Sequence, residues 1–415
     1  MDTGGKAPIL TSVAEVEGGT LTIQRALNAV RTHLGMDVAY LSEFVGNDSI
    51  FRVVDAPGLE TLVKPGDARS LDDVYCRHIV EGRLPELIPD TANEPLAQSL
   101  PITKAVPIGS HVSIPIRMSD GSLYGMFCCL SARPNPSLND RDLQVMRMFA
   151  DLAAHQVSRD RDAEWDAQSR RRRIQQVIVE QAFTPVYQPI CDIRLGGPVG
   201  FEALCRFAGE PYRSPDKWFA EAVEAGLGIE LELAVLQAAL VGLKVLPAST
   251  YVSFNASPET IVSGKLVDAF GDAPRERIVL EVTEHAPVAD YEQLGAALRP
   301  LRDSGVRLAV DDAGAGFSSL QHIVQLNPDI IKLDMALTRS VDADPARRAL
   351  ASALIHFAHE MGSTIVAEGI ESEAELSTLG MLGITKGQGF LLGRPVPLQD
   401  ARLIAENSGQ HRLSA

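Results

Sequence analysis

The sequence predicts an α+β domain followed by an α/β barrel, the two joined by one long helix. Three observations carry that reading. Before Pro136, a helical run is followed by paired strand-like runs with tight-turn residues between them. From Ser137 to Phe183 neither glycine nor proline occurs and charge is dense. From Pro185 onward, short apolar runs alternate with helical ones.

Taken in order, residues 1–19 are small and polar and read as a flexible tail. Thr20 has the chemistry of an N-cap for a helix that spaces Leu21, Ile23, Leu27, Val30 and Leu34 along one face. The runs DVAYLSEF and SIFRVVD flank the turn residues Gly46, Asn47 and Asp48. After a helical patch near Asp72–Val80, HVSIPIRM and LYGMFCCLS are joined through Ser119-Asp120-Gly121-Ser122, and Asp-Gly suits a tight hairpin. The first domain is expected over 20–158. A helical linker over 159–183 completes a rod of ~65 Å at 1.5 Å per residue, counted from Ser137. The strands of the second domain read PVYQPI, VGFEAL, YVSFN, RIVLEV, VRLAVD, DIIKL, TIVAE and GQGFLLG, with helices between most of them. Eight such units fit a β/α barrel over 184–408 better than an open sheet, leaving 409–415 as a tail.

The 415 residues are 45% hydrophobic and 22% charged, which excludes a disordered or collagenous chain. The formal net charge of −16 argues against a nucleic-acid polymer or an anionic membrane surface as partner. An anionic small ligand would need metal ions or a few focused cations. Five cysteines show no metal-binding spacing and suit a reduced, cytoplasmic protein. Cys128 and Cys129 are adjacent on one strand and should face opposite ways. The most apolar helical stretch, Leu231–Leu246, is broken by Glu232, Gln237 and Lys244, so no membrane span is expected.

Function is carried by what terminates the strands. Glu202 lies near the end of VGFEAL, Asn255 ends YVSFN, and Glu281 ends RIVLEV; Asp311 and Asp312 follow VRLAV. Lys332 lies in DIIKL, Glu368 ends TIVAE, and Gln388 opens the last strand. In a β/α barrel these ends converge on one face. Any one acidic residue could be a helix N-cap, but a succession of them after apolar runs, with Asn255 and Lys332 among them, is not what caps require. Five carboxylates, an amide and a lysine at one mouth call for a hard divalent cation, Mg²⁺ or Mn²⁺. The adjacent pair Asp311-Asp312 suggests two ions at the ~3.5–4 Å separation of phosphodiester-cleaving sites. The glycines of DDAGAGF suit a loop that closes over substrate.

Segments FEALCR, FNASP, LEVTEH, DDAGAGFSSL, IKLD, AEGIE and GQGFLLGRP occur in order over residues 172–408, and this part of the chain resembles the EAL-domain cyclic di-GMP phosphodiesterases. The resemblance implies a modified TIM-type (β/α)8 barrel that hydrolyses cyclic di-GMP to linear pGpG with two Mg²⁺ or Mn²⁺ ions. By position it implies Glu202, Asn255, Glu281 and Asp311 as ligands of the first ion. Asp311 and Asp312 would hold the second, with Glu368 beside it as base-side carboxylate. Lys332 and Gln388 would position water and metal, and Glu284 would hold the 311–320 loop. Arg206 would bind substrate phosphate and Gln188 would lie near a base. Ala313 departs from the family pattern, which usually has an aromatic there. The alternative is a catalytically silent cyclic di-GMP receptor that relays to a protein partner.

Residues 20–158 resemble a GAF sensory module through YCRHIVEGRLPELIPDT and SIPIRMSDGSLYGMFCCLS. Its ligand is not indicated, and Cys76 reads as ordinary helix-face packing. The unbroken helix suggests a relay and a parallel homodimer paired through Leu143, Met146 and Phe149 and through the barrel. The charged stretch Arg159–Arg173 is expected to stay solvated.

Overall fold

The computed structural model describes residues 13–209, 212–282, 290–313 and 317–412. Its first elements are α1 (Val13–Leu34), β1 (Val38–Val45), β2 (Asp48–Asp55), β3 (Ala68–Ser70), α2 (Tyr75–Val80), β4 (Leu87–Ile88), α3 (Pro95–Ser99), α4 (Pro101–Ala105), β5 (Ser110–Arg117) and β6 (Leu123–Ser131). Thr20 therefore lies inside α1 and is not its cap, and residues 13–19 are helical rather than tail. The pair Gly18-Gly19 costs a helix about 1 kcal/mol apiece, and packing of the following turns overrides it. The strands form one antiparallel sheet in the order β3-β2-β1-β6-β5-β4. The Asp-Gly hairpin is present: Gly121 has φ +80° and the Asp120 carboxylate accepts from the Ser122 amide at 2.8 Å.

Period-two alternation divides the sheet into two apolar layers. On one face Leu41, Ile114, Phe127 and Cys129 pack with Leu27 and Val30 of α1. On the other, Tyr40, Met126 and Cys128 pack with Tyr75, Cys76 and Ile79 of α2 and with the segment carrying α3 and α4. All five cysteines are buried thiols, and Cys128 and Cys129 do face opposite ways.

The long helix is α5 (Asp140–Val179), 40 residues. Asn139 caps it, its side-chain oxygen accepting from the Arg141 amide at 3.0 Å. The chain divides into two compact units between Ala167 and Gln168, inside this helix. Met146 is fully buried against the sheet face that α1 covers, with Leu143 and Phe149 packed beside it. The three residues expected to pair two copies are thus consumed within one chain, because the same helical stripe must cover the sheet. The arginine run is not wholly solvated either. Residues 161–168 are exposed, but Arg173 and Arg170 approach Glu221 and Glu224 at 3.4 and 3.9 Å, and Arg171 donates to the Ala225 carbonyl at 2.8 Å. The C-terminal end of the next helix offers carboxylates and free carbonyls, which attract cations.

The second unit contains β7 (Phe183–Asp192), β8 (Pro198–Phe207), α6 (Pro215–Glu224), α7 (Gly228–Ala239), α8 (Gly242–Val245), β9 (Tyr251–Ala256), α9 (Pro258–Val262), α10 (Leu266–Ala269), β10 (Ile278–Val282), α11 (Tyr291–Asp303), β11 (Arg307–Ala313), α12 (Phe317–Leu326), β12 (Ile330–Leu333), α13 (Met335–Thr338), α14 (Pro345–Glu360), β13 (Thr364–Ala367), α15 (Glu373–Met381), β14 (Lys386–Gly387) and α16 (Leu398–Arg412). The eight described strands close in the order β10-β11-β12-β13-β14-β7-β8-β9. All neighbours are parallel except β7, which runs against both β8 and β14. The reason is local. A turn with Gly196 and Gly197 at positive φ joins β7 to β8, and antiparallel neighbours need only a turn where parallel ones need a crossover.

Candidate active site

The floor of the barrel is apolar: Ile190, Tyr251, Val279, Ala309, Ile330 and Val366 cluster inside it. Gly200 makes room for this layer, since a Cβ there would fall 2.5 Å from the Tyr251 ring. Two residues further along each strand brings the next inward position. From Val279, Ala309, Ile330 and Val366 that step leads to Glu281, Asp311, Lys332 and Glu368. From Gly200 it leads to Glu202. On reversed β7 the step is backwards, from Ile190 to Gln188. One apolar layer thus specifies one polar layer above it.

Lys332 is the centre of that layer. Its Nζ lies 2.7 Å from Glu368, 2.8 Å from Glu281, 3.1 Å from Asp311 and 3.5 Å from Glu202. The lysine is only 2% exposed. Burial alone would push its ammonium down, but Asp311, Glu202, Glu281 and Glu368 outweigh burial and hold it well above its ordinary range. Burial, with Glu202 and Asp311 adding to it, pushes Glu281 up to about 8 against the pull of Lys332. Glu368 is likewise pushed well above its ordinary range, by burial first and then by Asp311 and Glu202. Four carboxyl groups face one ammonium, and negative charge is under-compensated.

A chain of amides borders the carboxylates. Asn255 donates to Glu202 Oε1 at 3.0 Å, Gln388 donates to Glu202 Oε2 at 2.7 Å and to Gln188 Oε1 at 3.0 Å, and Gln188 donates to the Gly393 carbonyl at 3.1 Å. Gln388 follows β14 instead of opening the last strand, because its amide bonds the Ala367 carbonyl (2.8 Å) and the chain then turns against Ile370. Gly389 permits that turn: a Cβ there would lie 2.2 Å from the Ile370 backbone.

The structure therefore brings together Glu202, Asn255, Glu281, Asp311, Lys332, Glu368, Gln388 and Gln188. Glu202 is mid-strand in β8, not near its end. Arg206 is exposed and donates to the Cys205 carbonyl, apart from this cluster. Asp312 belongs to β11, but its side chain, Glu284 and residues 314–316 of the glycine loop lie outside the described residues. Ala313 is fully buried in the apolar layer between strands and helices. Sequence reasoning missed Glu375, whose carboxylate accepts from the amides of Ser340, Glu371 and Ser372 at 2.9–3.0 Å. It ties the loop after β13 in place behind Glu368. The signal was available, since Ser372 and Glu375 form a capping box.

Among the described residues no three His, Cys, Asp or Glu side chains form a ready metal cage; Lys332 occupies the centre. The donor set nonetheless fits a hard divalent cation. Every candidate ligand is an oxygen, the carboxyls outnumber the ammonium, and Gln388 Oε1 is buried with no partner.

Fold and site define an (β/α)8 barrel with an acidic, oxygen-donor mouth. The EAL domain model matches residues 171–395 and the GAF domain model residues 20–157. The chain belongs to the EAL family, with a GAF domain ahead of the barrel. It is 31% identical over 240 residues to the probable cyclic di-GMP phosphodiesterase PdeG of Escherichia coli, covering 55% of this chain and 47% of that protein. It is 30% identical over 234 residues to the cyclic di-GMP phosphodiesterase PA2567 of Pseudomonas aeruginosa, covering 54% and 40%. The chain thus matches less than half the length of each of these relatives. The PaMucR phosphodiesterase, solved as a c-di-GMP complex, superposes with a TM-score of 0.50 at 29% identity over 55% of this chain and 96% of that one. Among the described residues no helix is long and apolar enough to cross a membrane.

Proposed function

We propose that the barrel hydrolyses cyclic di-GMP to linear pGpG in the cytoplasm, using two Mg²⁺ or Mn²⁺ ions, under control of the GAF domain. The observation that carries this is the convergence of Glu202, Glu281, Asp311 and Glu368 on buried Lys332 in an EAL-family barrel. Glu202, Asn255, Glu281 and Asp311 would hold one ion, and Asp311 with Asp312 the other. Bound there, the ions would supply positive charge at the attacked phosphate and ease deprotonation of water.

The chain's own groups do the rest. Water attacks phosphorus, the bond to the 3′ oxygen breaks, and that oxygen takes a proton from solvent and leaves as the alcohol while the 5′ phosphate stays on the linear product. With cations bound at the site, the Glu368 carboxyl would be drawn back toward its ionised form, in which it takes the proton of the attacking water. Lys332 Nζ, bonded to Glu368 at 2.7 Å, keeps that group oriented and faces the charge that grows on phosphate. Gln388 and Gln188 fix the Glu202 side of the cluster, and Gln188 would lie near a guanine base. Arg206 would bind a substrate phosphate.

Purified protein with cyclic di-GMP and Mg²⁺ or Mn²⁺ should yield pGpG by chromatography. Binding without product would favour the receptor reading, for which Ala313 is the feature that speaks. For regulation, two glycines inserted after Ala163 should leave basal hydrolysis intact and remove any dependence on the GAF domain. Dimerisation, in this reading, uses the exposed side of α5 with Met148 and Leu152, which the sheet leaves free.

A further inference from the structure

The face of the GAF sheet beneath α2 carries a polar centre inside an apolar layer. Its focus is Cys128 of β6, fully buried. Ser113 Oγ of β5 lies 2.9 Å from its sulfur. The Cys76 thiol of α2 and the Tyr40 hydroxyl of β1 share its buried layer, and they and His111 of β5 lie near enough to act on its charge. His111 is fixed by an edge-on contact with Tyr75 at 5.0 Å, and its Nδ1 is buried without a partner. Polar groups from two strands and a helix therefore gather near one sulfur.

Cys129 is the internal control. It is equally buried, one residue away, on the opposite face among aliphatic neighbours. Burial pushes its thiol well up. Burial acts on Cys128 in the same sense, but Cys76, His111 and Ser113 outweigh it and bring the thiol down to about 5. A sulfur drawn toward the thiolate, with a second thiol in the same buried layer, is the arrangement that reacts with peroxides and then closes to a disulfide.

We propose that Cys128 is a peroxide-reactive sulfur and Cys76 its resolving thiol, so that hydrogen peroxide converts the pair to a disulfide within the GAF core. In the first step the Cys128 thiolate attacks one oxygen of hydrogen peroxide; the O–O bond breaks, leaving Cys128 sulfenic acid and hydroxide, which takes a proton to become water. In the second, the Cys76 sulfur attacks the sulfenic sulfur, the S–O bond breaks, and a second water leaves with the Cys76 proton. Two thiols are oxidised by two electrons and one peroxide is reduced to two waters. Burial selects the oxidant. Only a small neutral molecule passes the short helices α2, α3 and α4, whose brief turns open more readily than the sheet.

The test uses the reduced full-length chain under native conditions. After hydrogen peroxide, the protein is denatured, alkylated and digested, and its peptides are weighed. A Cys76–Cys128 cross-linked peptide should accumulate and vanish with a dithiol reductant, while Cys129, Cys191 and Cys205 remain alkylatable. In Cys76→Ser the disulfide should be lost and Cys128 should be trapped as a sulfenic acid by dimedone. In Cys128→Ser neither product should form and Cys76 should stay reduced. Equal oxidation of Cys128 and Cys129 would overturn the proposal. So would a folded Cys76→Ser protein whose Cys128 takes no dimedone, and that variant decides the matter should Cys128→Ser fail to fold.

Discussion

The two domains bury polar groups in different ways. In the GAF sheet, polar groups on adjacent strands and one helix gather near a single sulfur on one face of an open sheet. In the barrel, carboxyl groups from β8, β10 and β11 and from the residue after β13 meet around one ammonium on β12. An open sheet can gather polar atoms only from strands that lie side by side. A closed one aims every strand at a common axis, so carboxylates that would repel can be held together. The difference teaches where each domain is vulnerable. The barrel site depends on charge balance, the sheet on apolar coverage.

The largest effect should come from upsetting that balance. Lys332→Met leaves four carboxyls around an apolar side chain, and breaking a buried ion pair from one side costs about 3–5 kcal/mol. The metal-free variant should lose that much in denaturant unfolding, and divalent ions should restore part of it. An unchanged midpoint would mean that the carboxyls are balanced by something other than Lys332.

Glu202→Ala should lower hydrolysis by ~10²–10³-fold, the loss of a few kcal/mol of charge stabilisation at the phosphate. Its circular dichroism should stay that of the parent, because the bonds of Glu202 run to Asn255, Gln388 and Lys332 of the site. Wild-type turnover by this variant would remove Glu202 from the metal set.

Met146→Ala tests the opposite domain. The side chain is fully buried between α5 and the sheet, so truncation should cost about 2–4 kcal/mol in the GAF transition while basal turnover by the barrel is retained. Were Met146 a contact between two copies, sedimentation would show dissociation with little loss of GAF stability.

The smallest effect is on pH. Glu281 is raised from 4.5 to about 8 and Glu368 is raised as well, so the folded chain binds these protons more tightly than the unfolded one. The contribution of Glu281 is full below about pH 4.5 and is lost as pH rises through about 8, and that of Glu368 has the same sign. Lys332, raised above 10.5, stays charged across this window. The metal-free thermal midpoint should therefore fall from mildly acidic to mildly alkaline pH, and added Mg²⁺ should stabilise more at pH 8 than at pH 6. A midpoint that climbs across this range would contradict the charge-excess reading.

Much of the site was legible because strands end in a way that local sequence shows. Glu281, Asp311 and Glu368 each follow an apolar run, and Asp120-Gly121 announced its hairpin. Other features were hidden for physical reasons. Strand β8 continues past Glu202 because Arg206 and Phe207 pair with Thr184 and Phe183, a partner distant in sequence. The stripe on α5 looked like a dimer seam because a helical period shows that a face is apolar and not what covers it. The arginines of α5 looked solvated because Glu221 and Glu224 lie on another element.

By itself the sequence determined the two fold classes, the long helix and the chemical type of the site, since periodicity, turn residues and an all-oxygen donor set are local properties of the chain. Only the tertiary structure decided that Lys332 stands at the centre of the carboxylates, that β7 runs in reverse, and that polar groups gather near Cys128 while Cys129 beside it stays among aliphatic groups. Those outcomes depend on strand register and barrel closure, which bring distant residues within hydrogen-bond reach, and no local pattern encodes which residues will meet.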